Sequence, residues 1–102
     1  MTSRIIPSPA SAERLLQKLK GLQFNVIGSL EDHAGGSQGA WTREAYYLDD
    51  ADAVRETLRR ACGWSDLEVM VDGDFMPPGE YPLSRLTVVV SREGVPIRTF
   101  FG

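Results

Sequence analysis

The 102-residue sequence has one cysteine and one histidine. Cys62 therefore has no second cysteine in the chain to form a disulfide with, and His33 alone does not define a metal site. No apolar run approaches the length needed to cross a bilayer, and Met1 to Pro7 holds too few apolar residues for a secretory leader. A cytoplasmic protein without membrane contact is the expectation. Lysine and arginine number 11 against 14 acidic residues, for a net charge of −3. The cations are scattered along the chain, which argues against a nucleic-acid partner. The sequence also lacks an internal repeat, a low-complexity tract, a phosphate-loop lysine and any serine–histidine–carboxylate spacing.

What remains is ordinary for a globular chain. A hydrophobic content of 42% with 25% charged residues favours neither disorder nor a fibrous class, and the length suits one core. Residues 1–102 are expected to form a single α+β domain.

The strongest pattern runs from Ser84 to Phe101, where two β-rich runs meet at Glu93-Gly94. An even-numbered turn there sets Leu86 opposite Phe101, Val88 opposite Thr99 and Val90 opposite Ile97, gathering aliphatic side chains on one face. The other face receives Thr87 with Phe100 and Val89 with Arg98. A three-residue turn with Gly94 as a left-handed bulge is chemically reasonable, but it would mix Arg98 and Phe100 with Val88 and Leu86. Burial therefore favours the even turn.

Ser8-Pro9 has the form of a helix cap followed by proline at the first helical position, and Ala12, Leu15, Leu16 and Leu19 follow at helical spacing up to Gly21. Alternation from Leu22 to Leu30 predicts a strand, Glu31 to Ala40 a glycine-rich mobile connection, and Trp41 to Leu48 a second strand. Asp49, Asp50 and Asp52 mark the start of a second helix, striped by Val54, Leu58, Ala61 and Cys62 and stopped at Gly63. Trp64 is expected to close the helix end over the core. Leu67 to Val71 alternates as a strand, and Asp72 to Pro82 is too rich in proline and glycine for a regular element. If Ser3 to Ile6 is also a strand, two helices cover one face of an antiparallel sheet in βαββαβ order with a C-terminal hairpin. In element order alone this resembles ferredoxin-like folds. Without that first strand the alternative is an αββαβββ two-layer sandwich.

Candidate chemistry is sparse. His33, beside Glu31 and Asp32, is the candidate general base or metal ligand, with Glu44 or Asp32 as its orienting carboxylate; the competing reading is a solvated loop residue. Gly35 to Gly39 joins strand to strand, which suits flexibility better than anion binding. Asp72, Asp74 and Glu80 lack the ligand spacing of a calcium loop, Asp49 to Asp52 read as helix caps, and Cys62 as a buried inert thiol. No cofactor is expected. The last strand carries a proline that cannot donate, Pro96, and turns Phe100 away from the core. With Thr87 and Val89 on that outer face, and with Trp41 and Tyr81 as further aromatic contacts, the sequence points to a non-catalytic protein-interaction module that self-associates as a homo-oligomer. A small-molecule-sensing domain with its ligand near Glu31 to Ala40 is the alternative, and a small enzyme using His33 is the third reading.

Overall fold

The computed structural model of the chain describes residues 6–33, 39–73, 79 and 81–102, with the side chains of His33 and Trp41 left aside. Its order is α1 (Pro9–Gln17), β1 (Val26–His33), β2 (Trp41–Leu48), α2 (Ala51–Cys62), β3 (Leu67–Val71), β4 (Leu86–Val90) and β5 (Pro96–Phe101). The described elements thus follow αββαβββ; apart from the irregular Ile6, the Ser3 to Ile6 strand falls outside the described residues.

Both helices begin as their sequences predict. Ser8 and Ser11 form a reciprocal capping box, each side-chain oxygen accepting from the other's backbone N–H at 3.1 and 2.9 Å. The Ser11 hydroxyl also donates to the Ile6 carbonyl at 2.6 Å, so the approach to the helix is tied down as well. Asp50 caps α2 by accepting from the Ala53 N–H at 3.2 Å, in a left-handed conformation that aspartate tolerates better than most residues. Gly63 ends α2, also left-handed.

The strands form two sheets, a β1–β2 ribbon and a three-stranded β3–β4–β5 sheet. The second sheet corrects the expectation of an all-antiparallel arrangement, because β3 pairs parallel to β4 while β4 and β5 are antiparallel. The long connection from Asp72 to Arg85 makes this feasible: it returns the chain to the end at which β3 began, which a tight turn cannot do. Leu86, Val88 and Val90 of β4, with Leu67 and Val71 of β3, meet Leu15 and Leu19 from the α1 side and Leu58 and Cys62 of α2 in one core. Thr99 links the sheet to α1 by donating its hydroxyl to the Ala12 carbonyl at 2.6 Å. Trp64 closes the far end, edge-on to Phe101 at 5.1 Å and donating its indole N–H to the Ser84 carbonyl at 2.7 Å.

The C-terminal hairpin reaches its expected pairing by an unexpected route. Leu86 faces Phe101, Thr87 faces Phe100, Val88 faces Thr99 and Val89 faces Arg98. The turn, however, has three residues: Gly94 N–H donates to Ser91 and Ser91 N–H to Val95, each at 2.8 Å, with Gly94 at φ 87°. Such a turn alone would put Arg98 and Phe100 on the core side. An extra residue, Ile97, bulges out between the Val90–Pro96 and Val89–Arg98 pairs and restores the register. Ile97 is consequently 44% exposed instead of facing Val90 in the core. Burial decides the faces; the turn geometry is satisfied by a compensating bulge.

The first ribbon strand starts at Val26, not Leu22. Residues 22–25 are engaged elsewhere: Phe24 N–H donates to the Gly94 carbonyl at 2.8 Å, the Gln23 amide to the Glu93 carbonyl at 3.2 Å, and Asp49 N–H to the Asn25 carbonyl at 3.0 Å. The strand also runs on through Glu31, Asp32 and His33, which pair with Arg43, Thr42 and Trp41. That correction shortens the connection read as mobile from its N-terminal side.

Candidate functional site

The sequence-derived candidates are dispersed. His33 ends β1 opposite Trp41 in the ribbon. Glu44, its proposed orienting partner, lies several rungs away opposite Leu30 and accepts the Tyr46 hydroxyl at 2.9 Å. Asp72 is exposed and stands 3.9 Å from the Arg98 guanidinium; Asp74, Glu80 and residues 34–38 lie outside the described residues. Among the described residues no group of three or more histidine, cysteine, aspartate or glutamate side chains could hold a metal ion. Asp50 caps α2, Asp49 accepts from the Asn25 amide at 3.2 Å, and Asp52 pairs with Arg55 at 2.7 Å, so these carboxylates have structural partners. Burial pushes the Cys62 thiol up from its ordinary pKa, as an inert core residue requires.

The outer face of the β3–β4–β5 sheet is largely withheld from solvent. Val89 is fully buried and Thr87 is 3% exposed, its hydroxyl donating to the Gly102 carbonyl at 3.0 Å. Phe100 is half-buried and lines a groove of about 480 Å³ with Pro7, Pro9 and Leu83. Tyr81 is half-buried too, with the Arg85 guanidinium 6.0 Å from its ring centre. A patch made of Thr87, Val89 and Phe100 together is therefore not presented at the surface.

Of the exposed large apolar residues, Ile27, Leu30 and Tyr47 lie on the β1–β2 ribbon, whereas Ile6, Leu83, Val95 and Ile97 are scattered over other elements. Val26, Tyr46 and Leu48 pack against the core, and Ala45 is also buried. Ile27 and Tyr47, opposite one another, are 48% and 47% exposed, and Leu30, further along β1, is 73% exposed. A Glu31–Arg43 ion pair at 3.4 Å spans the next rungs. The molecule measures 61 × 29 × 20 Å with a radius of gyration of 15.9 Å, where a compact chain of this length has about 13 Å.

Below the ribbon, β2 and the start of the β3–β4 connection enclose a cleft of about 240 Å³ between Arg43, Tyr46, Tyr47, Asp72, Gly73 and Arg92. The Arg92 guanidinium stacks 4.4 Å from the centre of the Tyr46 ring, whose other contacts include Gly28. The phenol of Tyr46 titrates above its ordinary value, first because its proton is donated to the Glu44 carboxylate. Among the described residues no carboxylate forms an ion pair with Arg92, although Glu44 and Asp72 line the same cleft.

Comparison with protein-family models, curated proteins and solved structures yields no match to this chain. Among the described residues, no helix is long and apolar enough to cross a membrane.

Proposed function

We propose that the chain is a non-catalytic protein-interaction module that self-associates through its β1–β2 ribbon. The observation that carries this reading is the contrast between the outer strands of its two sheets. β5 is blunted by Pro96 and by the bulge at Ile97, two devices that keep foreign strands away. β1 pairs with β2 in an unbroken eight-rung register and contains no proline, lysine or bulge; its only carboxylates gather at one end. A two-stranded ribbon is marginal in water on its own, and exposed Ile27, Leu30 and Tyr47 make a lone one more so. Light scattering on the intact protein at micromolar concentration tests the reading. A particle of twice the 11.3 kDa chain mass is expected, reduced to one chain by Leu30→Lys. A native protein that remains one chain per particle contradicts it.

The cleft under Arg92 supports a second reading, capture of a small anion. Titration with inorganic phosphate and with citrate, followed by the amide shift of Gly73, tests it. Saturable shifts that Arg92→Ala abolishes favour the reading; unchanged spectra remove it.

A further inference from the structure

Resting on that self-association reading, we infer that two copies join β1 to β1 antiparallel about a two-fold axis at Ser29, forming a continuous four-stranded sheet in the order β2–β1–β1–β2. β2 is the only described strand hydrogen-bonded to β1, and β2 is also the ribbon strand that meets β3. Among the described residues the outer edge of β1 therefore has no strand partner. A two-fold between identical edges consumes both and closes at two copies, which distinguishes it from open-ended stacking.

Symmetry and charge select the register. Directly opposed residues in an antiparallel pair share a face, so a two-fold perpendicular to the sheet must pass through a residue position. An axis at Leu30 sets Glu31 opposite Ser29 of the second copy and leaves the two Glu31 side chains diagonal neighbours, about 8 Å apart and within the screening length of physiological salt. An axis at Gly28 avoids this but shortens the overlap and loses main-chain hydrogen bonds. At Ser29 the overlap runs from Val26 to Asp32, and each Glu31 stands opposite Ile27 of the other copy, about 14 Å from its own counterpart.

Shape supports the same choice. Leu30, 73% exposed, then falls opposite Gly28 of the second copy. Gly28, Ser29, Leu30, Glu44 and Tyr46 line a shallow hollow, and the Tyr46 ring lies close against Gly28. The most exposed aliphatic residue of the ribbon thus meets its smallest residue beside the Tyr46 ring, while Ile27 covers the stem of Glu31.

Cysteine cross-linking in the full-length chain tests the register, because Cys62 is buried and thiols bond only when their Cα atoms lie within about 7 Å. Under mild oxidation Ser29→Cys should form a covalent dimer at least about tenfold faster than Ile27→Cys or Glu31→Cys alone. An equimolar mixture of the latter two should form the mixed dimer at the Ser29→Cys rate. If light scattering shows a dimer but Ser29→Cys does not cross-link preferentially, this register is overturned and self-association survives. If the native protein is monomeric at every concentration, both fall, and the edge is left for a strand of some other protein.

Discussion

Gly94 is the residue on which local chemistry and long-range packing converge. Its positive φ follows from the turn, a requirement visible in the sequence. Its second constraint was not visible: a Cβ placed there would stand 1.8 Å from the Phe24 carbonyl oxygen, a neighbour distant in the chain. Gly94→Ala should therefore cost at least about 3 kcal/mol in urea denaturation, combining left-handed strain with displacement of the Phe24 backbone. A loss below about 1 kcal/mol would contradict this packing. Cys62 supplies a pH test. Its thiol pKa is raised by burial in the folded state, so the folded protein holds the proton where the unfolded chain begins to release it. The contribution is fully present below the unfolded thiol value near ~8.5 and is lost as pH rises toward and through the folded value. Stability should decline more steeply above pH ~8.5 in the native protein than in Cys62→Ala; parallel curves would show that the thiol does not titrate differently on unfolding. At Tyr46, replacing Glu44 with Gln removes the carboxylate that accepts the phenolic proton, and ultraviolet titration should show the phenol ionising at lower pH.

Among the elements, those specified by short-range signals were legible and those specified by distant contacts were not. Ser8-Pro9, the aspartates before α2 and Gly63 mark their helices because caps and left-handed stops are properties of a few neighbouring residues. The aliphatic alternation of Leu86, Val88 and Val90 disclosed the face of β4 that meets the helices for the same reason, although both faces of that strand are buried. The beginning of β1 was misplaced because Leu22 and Phe24 alternate as a strand does, yet their backbone is engaged by the Glu93-Gly94 turn. The parallel pairing of β3 with β4 depends on where a long connection delivers the chain, which periodicity does not encode. The bulge at Ile97 offers the sharpest test at this scale. Deleting Ile97 removes the extra residue while every observed pair from Leu86–Phe101 to Val90–Pro96 can persist, so stability should change by less than about 1 kcal/mol. Deleting Thr99 instead inverts the strand beyond it and should unfold the protein. Similar losses for the two deletions, measured by circular dichroism during urea unfolding, would contradict a compensating bulge.

For the whole molecule, the outer sheet face anticipated as an interaction surface proves closed at Val89 and Thr87, while Ile27, Leu30 and Tyr47 of the β1–β2 ribbon are exposed. The sequence concealed this because alternation reports that one face of a strand is apolar without saying whether anything covers it. Leu30 continues the pattern of Val26 and looks equally buried, although it is largely exposed. The proposed docking of a second copy along the edge of β1 is examined directly by amide hydrogen exchange along that strand. In a lone ribbon alternate amides point to solvent and exchange freely, whereas in the paired sheet all those from Ile27 to Glu31 are held. The prediction is uniform protection at high protein concentration that reverts to an alternating pattern on dilution; alternation at every concentration would contradict it.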